Sequence, residues 1–398
     1  MTTSDFAFNS LTVQELRNRR TIKWNYYDDD VLPLWVAEMD YPTSPVVMDA
    51  IKASVNREEF GYPLMDHQSG LQQALAGWTQ KRYGWPIDPE RVHVLPDVLK
   101  GVELSIQDFT TPGSPVILPT PAYMPFPEVI RVSGRDIIEV PMHFTDGQYA
   151  FDLDGISAAF AAGAGSIILC NPYNPLGRVF TTEELRELAI VVEKHHGRVI
   201  SDEIHAPLVY GGRRHVPYAS VSAAAANHSL TIMAASKAWN LAGLKCAQLI
   251  TTNEADEHHW QTISMLRTHG ASTVGIEASI AAYRHGEEWL DALLLQLEAN
   301  RDLLAQTIDE RLPGVTMSVP EGVYMAWLDF RGLGLGEEPF DFLLREARVA
   351  TNPGLPFGDN GRGFARLNFA TTRPILERAL NAIVDAVYAA KVLETASL

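Results

Sequence analysis

Four side chains able to do covalent, acid–base or stacking chemistry stand just past apolar, strand-like runs of this sequence. Lys237 follows LTIMAAS (230–236), Asp202 follows RVI (198–200), Asn174 lies in the loop after SIILC (166–170), and Tyr123 comes after the VILP run. A lysine can condense with a carbonyl, and a carboxylate can keep a pyridine nitrogen protonated so that the ring accepts electrons. An amide can donate to a phenolic oxygen, and an aromatic face can cover a flat ring. These are the parts that pyridoxal 5'-phosphate requires, and Lys237, Asp202, Asn174 and Tyr123 supply them in that order. Lys245, eight residues beyond Lys237, adds a second fixed positive charge suited to a phosphate.

The elements that position them read as α/β. SPVILP (114–119), SIILCN (166–171), RVISDE (198–203), LTIMAAS (230–236) and CAQLITT (246–252) are expected strands. Between two of them, FTTEELRELAIVVEKHHG carries a capping box at Thr181 and Glu184, helical apolar spacing, and Gly197 as the expected stop. Strands alternating with helices predict a mainly parallel sheet covered on both faces, with ligands bound outside the carboxyl ends of the strands. The texture changes near residue 285. EEWLDALLLQLEANRDLLAQTIDERL predicts one long amphipathic helix, followed by GVYMAWLDF, FARLNFA and a last helix. The expected division is a segment at 1–44 packing on a smaller domain, a large domain at 45–285, and a small α+β domain at 286–398.

Composition narrows the partners. The net charge of −17 repels phosphate backbones, which argues against nucleic-acid and anionic-membrane binding. Cys170 and Cys246 fall inside apolar runs and read as buried, reduced thiols. No apolar h-region and no stretch of about 18 apolar residues occurs, so a cytoplasmic protein is expected. The doublets His195-His196 and His258-His259 lack ligand-spaced cysteines or carboxylates, and no metal site is expected. RGLGLGEEPF lacks a strand–helix setting and reads as a loop.

NPYNPLG, SDEIHAPLVY and SKAWNLAGLKCA, at these separations, resemble the pyridoxal-phosphate enzymes of the class I/II aminotransferase fold, and more closely the MalY/PatB-type C–S lyases. LPLWVAEMDYPTSPVV, FGYPLMD and FARLNFA extend the resemblance over nearly the whole chain. It implies a fold type I enzyme of sulfur amino-acid metabolism, tied to methionine biosynthesis. Such an enzyme cleaves cystathionine or related cysteine S-conjugates by α,β-elimination to a thiol, pyruvate and ammonia. Lys237 matches the Schiff-base lysine, Asp202 the pyridine-nitrogen partner, Asn174 the donor to the phenolic oxygen, and Tyr123 the stacking ring. Arg366 matches the arginine for the substrate carboxylate. Asn174 and Trp35, within WVAEMD, belong to the same substrate pocket. Tyr62 matches a tyrosine that serves the neighbouring subunit's phosphate in a homodimer with shared active sites, and it also faces substrate. Val98 and Leu99 match the backbone phosphate cradle, although PDVLKG lacks the Gly-Val usual there. Ala234 replaces a frequent phosphate-binding hydroxyl, for which Ser236 can substitute. His205 stands where many aminotransferases have tyrosine, as in the lyase branch. An aminotransferase acting on a small or aromatic amino acid is the alternative enzyme. A regulatory partner of a transcription factor is the alternative of another class.

Overall fold

The computed structural model describes residues 6–64 and 66–396. Residues 1–5 and 397–398, the ends of the expected segments, and Met65 within FGYPLMD lie outside the described residues.

A seven-stranded sheet carries the site. Its strands in chain order are β1 (Val92–Leu95), β2 (Val116–Thr120), β3 (Ile137–Pro141), β4 (Ser166–Cys170), β5 (Arg198–Asp202), β6 (Ser229–Met233) and β7 (Ala247–Thr251). Their spatial order is β1-β7-β6-β5-β4-β2-β3. β6, β5, β4, β2 and β3 pair in parallel, and β7 runs antiparallel to both of its neighbours. Five expected strands are therefore present within three residues of their expected ends, the largest difference being LTIMAAS (230–236), which stops at Met233. β1 and β3 were not among them. Every residue of β2, β4, β6 and β7 is buried, as the β-branched runs demand of strands covered on both faces.

Helix α1 (Val98–Phe109) leaves the end of β1, and α2 (Thr182–Lys194) joins β4 to β5. The capping box that starts α2 is formed as expected: Thr181 accepts from the Glu184 amide, and Glu184 accepts from the Thr181 amide. Its end differs from expectation. His196, not Gly197, adopts the left-handed backbone, at φ 53°. Gly197 is required for another reason, because a Cβ there would lie 2.4 Å from the Phe160 ring.

The long helix α3 (Glu287–Arg311) forms as a single 25-residue element. It leads to a second sheet of β8 (Thr316–Met317), β9 (Met325–Asp329), β10 (Asn352–Pro353) and β11 (Phe364–Asn368), in the order β8-β9-β11-β10. Helix α4 (Arg373–Ala396) ends the described chain. The amino-terminal segment is stitched to this region. Leu32–Pro33 pairs in parallel with Val349–Ala350, the Asn368 amide donates to the Leu34 carbonyl (2.9 Å), and Arg348 pairs with Asp30 (2.7 Å). Trp24, Leu34, Trp239, Leu293, Leu367 and Ile383 share one apolar cluster, while the central strands and α1 and α2 build another.

Candidate active site

The carboxyl ends of the parallel strands form one rim, and the chemistry collects there. β2 ends three residues before Tyr123, β4 leads into Asn174, Asp202 is the last residue of β5, and β6 delivers Ser236 and Lys237. Because β7 is antiparallel, it begins at the rim where the others finish, which brings Lys245 and Cys246 to the same place. Pro96, Asp97, Val98 and Leu99 arrive from β1 and the start of α1. Together they line a cavity of about 230 Å³ that also includes His205, Ala234 and Cys170.

Lys237 is half-buried, and its Nζ donates to the Ala37 carbonyl oxygen at 3.0 Å. Burial, reinforced by the Arg366 charge, pulls the amine down to about 8, so it holds its proton far less tightly than a solvated lysine. Burial acts on Asp202 in the opposite sense and pushes its carboxyl up to about 7. The Ile204 amide, which donates to Asp202 Oδ1 at 3.1 Å, and the Lys237 charge only partly offset that. His205 is buried, its Nδ1 has no hydrogen-bond partner among the described residues, and burial holds the ring well below the usual histidine range. It is therefore a neutral imidazole edge-on to Tyr324.

Arg366 lies in β11, 2 % exposed. Its Nη1 donates to Asn174 Oδ1 (3.0 Å), and its Nη2 to Asn352 Oδ1 (2.6 Å) and to the Trp35 carbonyl (3.1 Å). The guanidinium sits 5.1 Å above the centre of the Phe357 ring, and burial brings it down to about 10. Asn174 Oδ1 is thus committed to Arg366, which leaves its amide nitrogen as the donor facing the cavity.

The segment from Trp35 to Asp40 meets the site through its backbone carbonyls. Tyr324 donates to the Ala37 carbonyl (2.9 Å), the oxygen that Lys237 also uses. Asn240 clasps Met39 in both directions: the Met39 amide donates to Oδ1 (2.9 Å), and Nδ2 donates to the Met39 carbonyl (3.0 Å). Behind it, Lys23 and Asp40 form a fully buried ion pair at 2.7 Å, with Trp24 Nε1 donating to the same carboxylate.

Two expected residues lie elsewhere. The Trp35 ring packs against Tyr26 and Tyr27 and is not among the cavity-lining residues, so Trp35 meets the site through its carbonyl. Tyr62 is fully exposed, beside exposed Phe60 and Leu64, and does not reach the cavity of its own chain. Lys245 is at the rim, but it is paired with Asp97. Asn352, Tyr324, Asn240 and the Lys23–Asp40 pair were not read from the sequence. Asn352, in TNPG, and Tyr324, in GVYMAW, stand in stretches with a visible turn or strand signal, and Asn240 and Asp40 lie within SKAWNLAGLKCA and LPLWVAEMDYPTSPVV.

The donor set fits pyridoxal phosphate on structural grounds. A buried carboxyl with one amide partner awaits a cationic N–H, an amide nitrogen faces the cavity, a partly desolvated amine lies opposite, and the amides of Val98 and Leu99 open α1.

The class I and II aminotransferase profile matches residues 29–383, and the chain belongs to that family. It is 46% identical over 376 residues to a cystathionine beta-lyase of Corynebacterium glutamicum, covering 94% of this chain and 98% of that one. It is 33% identical to the cystathionine beta-lyase PatB of Bacillus subtilis, covering 93% and 97%. A Corynebacterium diphtheriae crystal structure, provisionally assigned as a PLP-dependent beta-cystathionase, superimposes with a TM-score of 0.91 at 44% identity, covering 95% of this chain and 98% of that one.

Proposed function

We propose that this chain is a pyridoxal-phosphate-dependent C–S β-lyase that acts on L-cystathionine or related cysteine S-conjugates. The observation that carries the reading is the single rim shared by Lys237, Asp202 and Asn174, with Arg366 of β11 hydrogen-bonded to Asn174, in a chain 46% identical to a cystathionine beta-lyase. Bound there, the cofactor supplies an aldehyde that joins the substrate amino group and a ring that accepts the electrons of a breaking Cα–H bond.

The chain's own residues do the rest. Arg366 takes the substrate α-carboxylate with the planar fork now shared among Asn174, Asn352 and the Trp35 carbonyl. Lys237, with its amine near 8, takes the Cα proton and returns a proton later in the cycle. Asp202 holds a cationic ring nitrogen, the Asn174 amide donates to the ring oxygen, and Tyr123 covers the ring face. Loss of a thiolate from Cβ then leaves a dehydroamino acid, which on release takes up one water and breaks down to pyruvate and ammonia.

Several finer assignments belong to the same reading. Val98, Leu99, Ser236 and Lys245 hold the phosphate, and His205 stays neutral beside the ring. The protein works as a homodimer in which Tyr62, displayed on the surface, reaches the partner's cofactor site. The chain divides into 1–44, 45–285 and 286–398, with the site between the last two. Its setting is cytoplasmic sulfur amino-acid metabolism leading to methionine biosynthesis. Among the described residues no helix is long and apolar enough to cross a membrane. Incubating the purified, cofactor-loaded protein with L-cystathionine and no keto acid tests the reading. Pyruvate and free thiol should appear in equal amounts, and the absence of both would sink it in favour of transamination.

A further inference from the structure

The phosphate end of the cavity holds one group of the wrong charge. Asp97 opens α1: its Oδ1 accepts from the Lys100 amide at 2.8 Å, and its Oδ2 accepts from Lys245 Nζ. Both oxygens of one carboxylate are therefore spent on the two kinds of group an incoming phosphate seeks, a helix-start amide and a fixed cation. Lys245 is held for this task at some expense, because its backbone is left-handed (φ 50°), a conformation that non-glycine residues rarely adopt. Pro96, Asp97, Val98, Leu99, Ser236 and Lys245 all line the same cavity. The sequence departs from the usual Gly-Val of the cradle at just this point.

We propose that Asp97 is a built-in competitor of the phosphate, which weakens and tunes cofactor retention. The proposal rests on the cofactor reading above. Its chemistry is simple: a phosphate near the amides of Val98 and Leu99 shares Lys245 with a carboxylate and is repelled by it. Asp97 and Lys245 are each about half exposed (side chains 40% and 52%), so solvent screens much of the effect. Asp97 is not required for the cradle itself, because asparagine caps a helix start as well as aspartate.

The experiment compares cofactor-free protein, prepared from the loaded enzyme, as wild type, Asp97→Asn and Lys245→Met. Dissociation constants are measured by spectroscopic titration with pyridoxal 5'-phosphate, with pyridoxal, which lacks the phosphate, and with inorganic phosphate. Asp97→Asn should bind pyridoxal 5'-phosphate and inorganic phosphate about tenfold more tightly than wild type, and the gain should shrink with added salt. Its affinity for pyridoxal should not change. Lys245→Met should weaken both phosphate ligands. Unchanged or weaker phosphate binding by Asp97→Asn would overturn the proposal and make Asp97 a support that orients Lys245. Wild-type protein that binds no pyridoxal compound would instead defeat the cofactor reading, and the inorganic phosphate series would still decide the role of Asp97.

Discussion

Replacing Asp202 by asparagine should stabilise the cofactor-free protein while it removes function. The carboxyl is 4 % exposed and accepts one amide hydrogen bond, and its pKa rises from 3.8 to about 7, chiefly through burial. That rise corresponds to about 4 kcal/mol of cost for ionising it inside the fold rather than in the unfolded chain. The unfolded chain releases this proton near pH 4 and the fold near pH 7. The contribution to stability is therefore complete below pH 4, falls as the pH climbs between the two values, and is constant above the upper one. Lys237 adds no slope in that window, because its amine, lowered from 10.5 to about 8, is mostly protonated in both states there. It acts only at higher pH, where the folded protein prefers the neutral amine. Stability lost to charging that amine reappears as the pH rises.

The variant keeps an oxygen for the Ile204 amide and the same shape, so the comparison isolates the charge. Urea unfolding followed by tryptophan fluorescence, from pH 5 to pH 8, reads it directly. Asp202→Asn should be more stable than wild type by up to about 4 kcal/mol at pH 8, with the two curves converging toward pH 5. Adding pyridoxal 5'-phosphate should close the gap, because a cationic ring nitrogen gives the carboxylate its partner. Parallel curves across this range would refute the assignment of Asp202 as a desolvated carboxyl.

Lys237→Ala should abolish elimination and the visible absorbance of the covalently held cofactor, while circular dichroism shows the fold intact. Arg366→Lys should lose about 10- to 100-fold in kcat/KM, carried mainly by KM, because a point charge cannot replace the planar fork held by Asn352 and Asn174. Lys23→Met should cost about 3–5 kcal/mol in denaturant unfolding by stranding Asp40, and Lys23→Met with Asp40→Leu should recover most of that.

The rim was legible because it depends on local signals. The three strands that deliver Asn174, Asp202 and Lys237 announce themselves as apolar runs, and parallel strands must end on the same side, so these residues could be gathered from the sequence alone. The surroundings of Arg366 were not legible, because they depend on pairings between distant segments. The β10–β11 register sets Asn352 opposite Arg366, and a 331-residue separation lies between Arg366 and the Trp35 carbonyl. Trp35 was read as a pocket wall from its neighbours in WVAEMD, but its ring follows a local aromatic cluster with Tyr26 and Tyr27. Gly197 shows the same limit on a smaller scale. A glycine after a helix suggests a left-handed turn, whereas its need here comes from the Phe160 ring across the packing interface.

The three ionisable groups at the centre of the site share one condition: burial pushes each toward neutrality. Asp202 rises to about 7, Lys237 falls to about 8 and Arg366 falls to about 10, so none has its charge well satisfied by the protein alone. Elsewhere the chain meets buried charge differently, as Lys23 and Asp40 neutralise one another and anchor the 37–40 segment that presents the Ala37 carbonyl to Lys237. Charge is paired where it holds the wall of the site and left unpaired where the site must bind. A cationic ring nitrogen for Asp202, an aldehyde for Lys237 and a carboxylate for Arg366 would each relieve the group it meets. Binding energy is then available because folding left these groups without an ion-pair partner among the described residues, which is why Asp202→Asn should gain stability and lose function in the same substitution.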